Sequence, residues 1–594
     1  MAELAVSQQL EHLLDRQLIS LVGERAYAFR HALLREAVYA TLLRRERREM
    51  HGAVAQTLEA LYADALDEHL ADLAYHYFEN EMWDKAQAFA QRAGEQAQRR
   101  EAAHEAHTHY THAITAAQHR GQMPPTELYR ARGQVREVLG DFDGSRDDHE
   151  TALAAARAAD QPRAEWQTLL DLGYLWAGRD YAQAGRYFQQ ALALARSMDN
   201  PLVLGRSLNR LGNWHFNREE IVDALRCHRE ALALFERHPD PRGVAETHDL
   251  LGLTFGYHGD IHTARTHSER CLALFRELGD RQGQASSLTS MAELGPTFGS
   301  ELAETAITLR EAHFLVDQSL KLSRAIGWRA GEAYALLSLG SVRLSAGDFG
   351  QALHDGRQGE RVATEIGHLQ WQTLAQVFRS RLYFELGQYP AAAAAAAEAC
   401  AGAERVHSVI WMRFGHLQTA LICMAQGDLP GAEAALAGQL DPDRLPDTAA
   451  QRMLAFAYGR LALLHGRPDQ TIAIVERLRA SIPNPSPGFV IPRLWKLHAE
   501  ALAALGQWPE AEALLLAALP LAHEIRILVW QVHAGLAGVY AAQGRSAEAE
   551  QEAATARQVV TELAATIPEA DQRETFTTMA LARVAQPWPG GPPQ

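Results

Sequence analysis

A glycine followed five residues later by alanine or another small residue recurs along most of this 594-residue chain, and no other feature limits its fold so strongly. The pairs are Gly347 and Ala352, Gly387 and Ala392, Gly427 and Ala432, Gly506 and Ala511, and Gly544 and Ala549, with Gly466 and Thr471 a mild departure. Their glycines step by 40, 40, 39, 40 and 38 residues. Upstream, Gly259 and Ala264 hold the same phase, and Gly140, Gly178 and the Arg218 position extend it. A fixed period of roughly 20–50 residues marks an array of stacked supersecondary units.

The rest of each unit follows the same plan. The chain reads LGNWHFNREEIVDALRCHREALAL around Gly212, LGLTFGYHGDIHTARTHSERCLAL around Gly252, and LGSVRLSAGDFGQALHDGRQGERVA around Gly340. A small residue comes twelve residues after each of these glycines (Ala224, Ala264, Ala352) and another seven later (Ala231, Cys271, Gly359). Small side chains at fixed points on paired helices let the helices cross closely, where bulk would force them apart. Helix, turn, helix with small residues at the crossings resembles the tetratricopeptide repeat, whose usual unit is about 34 residues. The period here implies a longer second helix or link. The resemblance covers residues 67–568 and implies an all-α superhelical solenoid of about 11–12 helix pairs. One unit departs. Gly299 keeps the phase but its Ala312 comes thirteen residues later, so Ser300 to Ile307 (SELAETAI) reads as an eight-residue insertion. Such insertions map to one face and are often binding elements, although neutral lengthening of the turn is the simpler expectation.

Residues 1–66 do not follow the period. A short helix precedes LISLV, a Gly23-Glu24 turn, AYAF, and a long helix from about His31. The order helix, hairpin, helix is that of the end of a winged-helix module. The positions Phe29, His31, Ala32, Leu33, Val38, Tyr39, Leu42, Leu43, Arg47, Arg48, His51, Leu58 and Glu59 are similar to the segment joining winged-helix and repeat portions in multidomain signal-transduction ATPases, the MalT-like and AfsR-like regulators. Leu73 to Ala97 resembles the start of their repeat arm. In that family an NTPase switch precedes the winged helix and the repeats sense a ligand or partner. The phosphate-cradling GxxxxGK[ST] motif is absent, no helix-turn-helix follows the repeats, and PWPGGPPQ at the end (within 569–594) reads as a disordered tail after a helix remnant. The chain thus reads as the C-terminal part of such a regulator.

Composition narrows the function classes. The formal charge of −16 opposes broad nucleic-acid binding. Cys227, Cys271, Cys400 and Cys423 form no CxxC pair, the N-terminus lacks a signal peptide's basic start, and no apolar run suits a membrane span, so a cytoplasmic protein is expected. His104, His107, His109 and His112 fan over more than half of a helix, at about 0°, 300°, 140° and 80°, and do not converge as metal ligands must. His258 and His262 flank a turn. No nucleophile motif or carboxylate pair stands out, so no catalytic residue, metal or cofactor is assigned.

Ligand binding is the better expectation, because stacked first helices form an extended concave surface. Helical phase puts Arg206, Asn209, Asn213 and Phe216 on that surface, then Asp249 and Tyr257, and further on Arg381, Arg460 and Lys496. Asn209 and Asn213 share one face and suit a peptide backbone, so replacing both with alanine is expected to weaken binding without lowering the melting temperature. Trp166 and Trp176 read as packing residues. The resulting expectation is a non-catalytic arm that binds a protein, a peptide or a small inducer within a bacterial regulator. Rival readings are a free-standing adaptor and a peptide-pheromone receptor.

Overall fold

The protein is represented by a computed structural model that describes residues 2–22, 26–100, 102–297 and 301–586. Twenty-nine α-helices, one short 3-10 helix (Leu66–Glu68) and one two-stranded sheet make up its regular structure among those residues. Packing divides the chain into two compact units, Met1–Leu139 and Gly140–Gln594.

In the first unit a helix over Ala2–Asp15 leads to antiparallel strands Ile19–Val22 and Ala26–Phe29, with Ile19 opposite Phe29 and Val22 opposite Ala26. The Gly23-Glu24 turn lies outside the described residues. The single long helix expected from His31 is instead two, Ala32–Thr41 and Arg44–Leu61. Leu42 and Leu43 are extended between them (ψ 136° and 151°), and Glu46 accepts the Leu43 N–H at 2.8 Å, so the second helix starts on its own cap. Leu70–Glu79 and Trp83–Arg99 then form a close pair, with Tyr77 stacked on Phe89. Ala103–His119 and Thr126–Val138 complete the unit.

In the second unit the expected repeat is explicit. First helices begin at Pro201, Pro241 and Arg281, then at Arg329, Leu369, Val409 and Ala449. From Pro201 to Ala449 the 40-residue step is therefore broken once, by eight residues. Helices of 17 residues occur among both kinds, as in Pro201–Asn217 and Ile221–Arg237. The extra length over a usual repeat thus sits in both helices, not only in the second helix or a link. Turn chemistry ends each helix abruptly. Gly259 (φ 95°) and Gly347 (φ 78°) adopt left-handed backbone that a side chain would strain. Asp240, Asp260, Asp280, Asp348 and Asp428 cap the helices that follow by accepting an amide N–H.

The crossings are as tight as the small residues require. Ala224, Ala264 and Ala352 are fully buried. A Cβ on Gly212 would lie 2.6 Å from the His228 ring, and one on Gly359 would lie 2.8 Å from Leu337. The fold is thus an all-α solenoid of stacked helix pairs. Trp166 is buried, with its indole N–H donating to Ser207 Oγ at 2.7 Å, and Trp176 meets Phe142 edge-on.

The insertion does not simply lengthen a surface turn. The Arg281–Ala292 helix is short, and the chain resumes helix at Leu309–Ala325. Gly299 and Ser300 lie outside the described residues, but Glu301, Leu302 and Ile307 are buried, and Ala306 N–H returns to the Leu294 carbonyl at 2.9 Å. At the C-terminus the last helix is Ala570–Ala585, and the PWPGGPPQ segment lies outside the described residues.

Candidate ligand groove

Successive first helices of the second unit pack on one another more closely than successive second helices do, so the first helices line the inner side of the curve. An open groove is not what results, because the chain passes back over itself. Gln370 N–H donates to Gly178 O (3.0 Å), Arg452 Nη2 to His258 O, Asn484 Nδ2 to Asp260 Oδ2 (2.8 Å), and Gly350 N–H to Thr566 O (3.1 Å). Each joins units roughly five repeats apart, a spacing at which curved repeats come into register. Turns between helices, not helix faces, make most of these contacts.

Few of the residues placed on the inner face by helical phase offer a free polar group. Asn209 is 1% exposed, donates to Thr247 Oγ1 at 2.7 Å and faces His228. Burial lowers the His228 pKa to about 3, so this ring is neutral. Asn209→Ala would therefore remove a buried hydrogen bond, leaving the Thr247 hydroxyl only its donation to the Gly243 carbonyl, and weaken folding, contrary to the unchanged melting temperature expected from the sequence. Asn213 is half-buried, and its carbonyl accepts from Asn217 Nδ2. Arg206 pairs with Asp240 at 2.9 Å and keeps partial solvent access. Phe216 packs edge-on against Tyr257, whose hydroxyl donates to Glu219 Oε1 at 2.7 Å. Asp249 accepts from Ser287 and Cys271, and burial raises its pKa to about 6.

Arg381, Arg460 and Lys496 do come together. Arg381 is 2% exposed, and its Nη2 reaches Glu301 Oε1 at 3.0 Å, Glu301 Oε2 at 3.2 Å and Glu385 Oε1 at 2.9 Å. Burial disfavours its charge, but Glu301 and Glu385 outweigh that and raise its pKa. Arg493 Nε meets Glu301 Oε2 at 3.0 Å from the other side. Burial lowers the pKa of Arg493 despite Glu301. Lys496 pairs with Glu500, burial again lowering its pKa, and the fields of Arg460 and Arg583 act on that pair. Among the described residues, Arg381, Arg460, Arg493, Lys496 and Arg583 thus act with Glu301, Glu385 and Glu500 inside an acidic protein.

Glu219, Glu301, Arg413 and Arg493 escaped sequence reasoning. Glu219 has φ 60° in a turn where sister units carry glycine, and its buried carboxylate gathers Tyr257, Thr448, Gln451 and Arg413. Its one sequence signal is a charged residue at a glycine position. Glu301 carries the signal of lying in the insertion. The histidines flagged from sequence diverge: His112 stacks on Phe78, His258 bonds Asp447 O, and His262 bonds Ser486 Oγ. All four cysteines are free thiols. No described helix is long and apolar enough to cross a membrane.

Comparison with known proteins agrees with the repeat. Residues 204–294 match the tetratricopeptide repeat family. No curated protein sequence matches the chain. Among solved structures, a Signal Transduction ATPase with Numerous Domains protein with a tetratricopeptide repeat sensor, from Pyrococcus horikoshii, aligns at 14% identity and TM-score 0.34. That alignment covers 80% of this chain and 58% of the archaeal one. A Rap protein complexed with Competence and Sporulation Factor aligns at 13% identity and TM-score 0.43, covering 65% and 99% of the two chains. Yeast Tom70 aligns at 14% identity and TM-score 0.31, covering 85% and 96%. The fold assignment rests on the helix pairs themselves and on the match over 204–294.

Proposed function

We propose that this chain is a non-catalytic binding arm of a bacterial signalling or transcription regulator, one that takes a protein, a peptide or a small inducer on the inner side of its repeats. The observation that carries this reading is the repeat itself. Arrays of stacked helix pairs present one continuous surface built from many units, and association uses that surface. Of the inner-face residues, Arg206, Asn213 and Arg460 retain solvent access, while Phe216, Tyr257 and Asp249 shape the wall behind them. The cytoplasm, where free thiols such as Cys227 and Cys271 persist, fits this role. Direct contact with nucleic acid or membrane forms no part of it. Regulation through a neighbouring switch separates this reading from that of a free-standing adaptor or a pheromone receptor.

The test is capture of partners on the immobilised full chain, followed by calorimetry with each captured molecule after purification. Saturable one-to-one binding that is lost in Arg206→Glu, with the fold intact by circular dichroism, is the expected result. Binding that never saturates, or turnover of the captured molecule, would sink the proposal.

A further inference from the structure

We infer that the open cavity between the Phe349–Glu365 helix and the 566–569 turn is a binding site for a free α-amino acid with an apolar side chain. This goes beyond the binding-arm reading and does not depend on it. The cavity holds about 400 Å³, and Asp348, Gln351, Leu353, Arg357, Pro568 and Glu569 are among the residues that line it. Sites for small molecules span about 300–1,000 Å³. Its two walls come from distant repeats, with 219 residues between Gly347 and Thr566, and they are fastened beside the cavity. Gly350 N–H donates to Thr566 O at 3.1 Å, and Thr566 Oγ1 donates to Gly347 O at 3.0 Å. A Cβ on Gly350 would stand 2.6 Å from Thr566 O, so this approach depends on glycine.

The walls carry opposite charges that do not satisfy one another. Arg357 Nη1 and Glu569 Oε1 are 3.9 Å apart, too far for a hydrogen bond, and the two side chains are 57% and 38% exposed. Glu569 Oε2 is covered and has no hydrogen-bond partner among the described residues, so Oε1 is the oxygen open to a ligand. The third charge is already compensated: Asp348 accepts the Gln351 N–H at 3.2 Å and sits at the positive end of its own helix. One cation and one anion are left to a ligand, at the spacing of a loose ion pair. A guanidinium takes a carboxylate through two N–H donors on one edge, and a carboxylate oxygen takes an ammonium. An α-amino acid carries both groups on neighbouring carbons, whereas a simple amine or acid leaves one wall unmet. Leu353 and Pro568 offer apolar ground to its side chain.

The probe is leucine, titrated by calorimetry into the full chain. Leucinamide, which lacks the carboxylate, and isocaproate, which lacks the amine, serve as comparisons. Leucine is expected to bind saturably and about tenfold more tightly than either. Arg357→Gln is expected to weaken leucine by about tenfold and to leave leucinamide unchanged. Glu569→Gln is expected to weaken leucine by about tenfold and to leave isocaproate unchanged. That crossed pattern separates contact with the ligand from a general disturbance of the cavity. Both side chains are partly exposed and neither is hydrogen-bonded among the described residues, so both variants are expected to fold, as circular dichroism checks. If one does not, the other decides through its own half of the pattern. No saturable leucine binding, equal binding of the three probes, or a variant that weakens both of its probes alike overturns the inference. Failure here leaves the binding arm standing, and a chain that captures no partner yet binds leucine in this pattern keeps the amino-acid site.

Discussion

Two glutamates hold left-handed backbone where a glycine would sit without strain, and comparing them separates backbone strain from side-chain pairing. Glu81 (φ 61°) pairs with Arg44 and Arg48, which are largely solvent-exposed. Glu219 (φ 60°) is sealed against Arg413, Tyr257 and Thr448. Left-handed backbone at a non-glycine residue costs roughly 1–2 kcal/mol. Surface pairs contribute about 0–1 kcal/mol, whereas removing one partner of a buried pair costs roughly 3–5 kcal/mol. Glu81→Gly is therefore expected to be neutral or slightly stabilising, while Glu219→Gly loses about 2–3 kcal/mol, both read from urea unfolding. Asp249 gives a residue-scale prediction of pH dependence. Its folded pKa of about 6 lies above the ordinary carboxyl value, because burial disfavours the charge. Between that ordinary value and about 6 the folded state binds more protons than the unfolded, so this group's contribution falls as pH rises through that window. Asp249→Asn, which keeps an acceptor for Ser287, is expected to flatten the decline and to gain on the order of 1 kcal/mol at pH 7. An unchanged pH profile of the unfolding midpoint would remove Asp249 as its source.

At the scale of helices and turns, stability depends on how little fits between paired helices. The Gly212 crossing stacks on His228, which is wholly buried against the partner helix. A methyl group there has no room to enter, since the imidazole atoms lie 2.6 to 3.0 Å from where it would be. Gly212→Ala is expected to lose about 1–3 kcal/mol through overpacking, even though alanine is the better helix former by about 1 kcal/mol. Glu230→Ala, on the exposed side of the same pair, is expected to stay within about 0.5 kcal/mol. Thermal melts of both variants check this, and equal melting temperatures would refute the close-crossing account. This level was the most legible in the sequence. The Leu-Gly pair, the alanine twelve residues on, and the Gly-Asp turn each follow from local sterics, and all three stand together in the units of Gly252 and Gly340. The break at Leu42 and Leu43 was not legible, because neither glycine nor proline stands beside it.

Contacts between units five repeats apart left no trace in the repeat, because they use turn residues that differ from unit to unit. Helical phase could place Asn209 and Arg381 on the inner side. It could not reveal that Thr247 seals the one or that an inserted glutamate reaches the other, since both facts depend on curvature summed over many repeats. Curvature also changes how the second unit should unfold. In an open solenoid each pair touches only its neighbours, and a local defect stays local. Here Arg452 spans the gap: its Nη2 donates to the His258 carbonyl and to Ser481 O at 3.0 Å, and its Nε donates to Ser481 Oγ at 3.1 Å. No carboxylate pairs with it among the described residues, and burial lowers its pKa to about 10, so its role is to satisfy carbonyls. Arg452→Met keeps the stem's bulk and removes those donors, leaving two carbonyls short at about 1–3 kcal/mol each. Hydrogen exchange is the direct measurement. Amides of the 258–262 turn are expected to lose protection together with those at 481–486, although the first lie nearly two hundred residues upstream of the substitution. Faster exchange confined to the repeats flanking Arg452 would mean that the unit behaves as an open array, and that the contacts between distant repeats carry no stability.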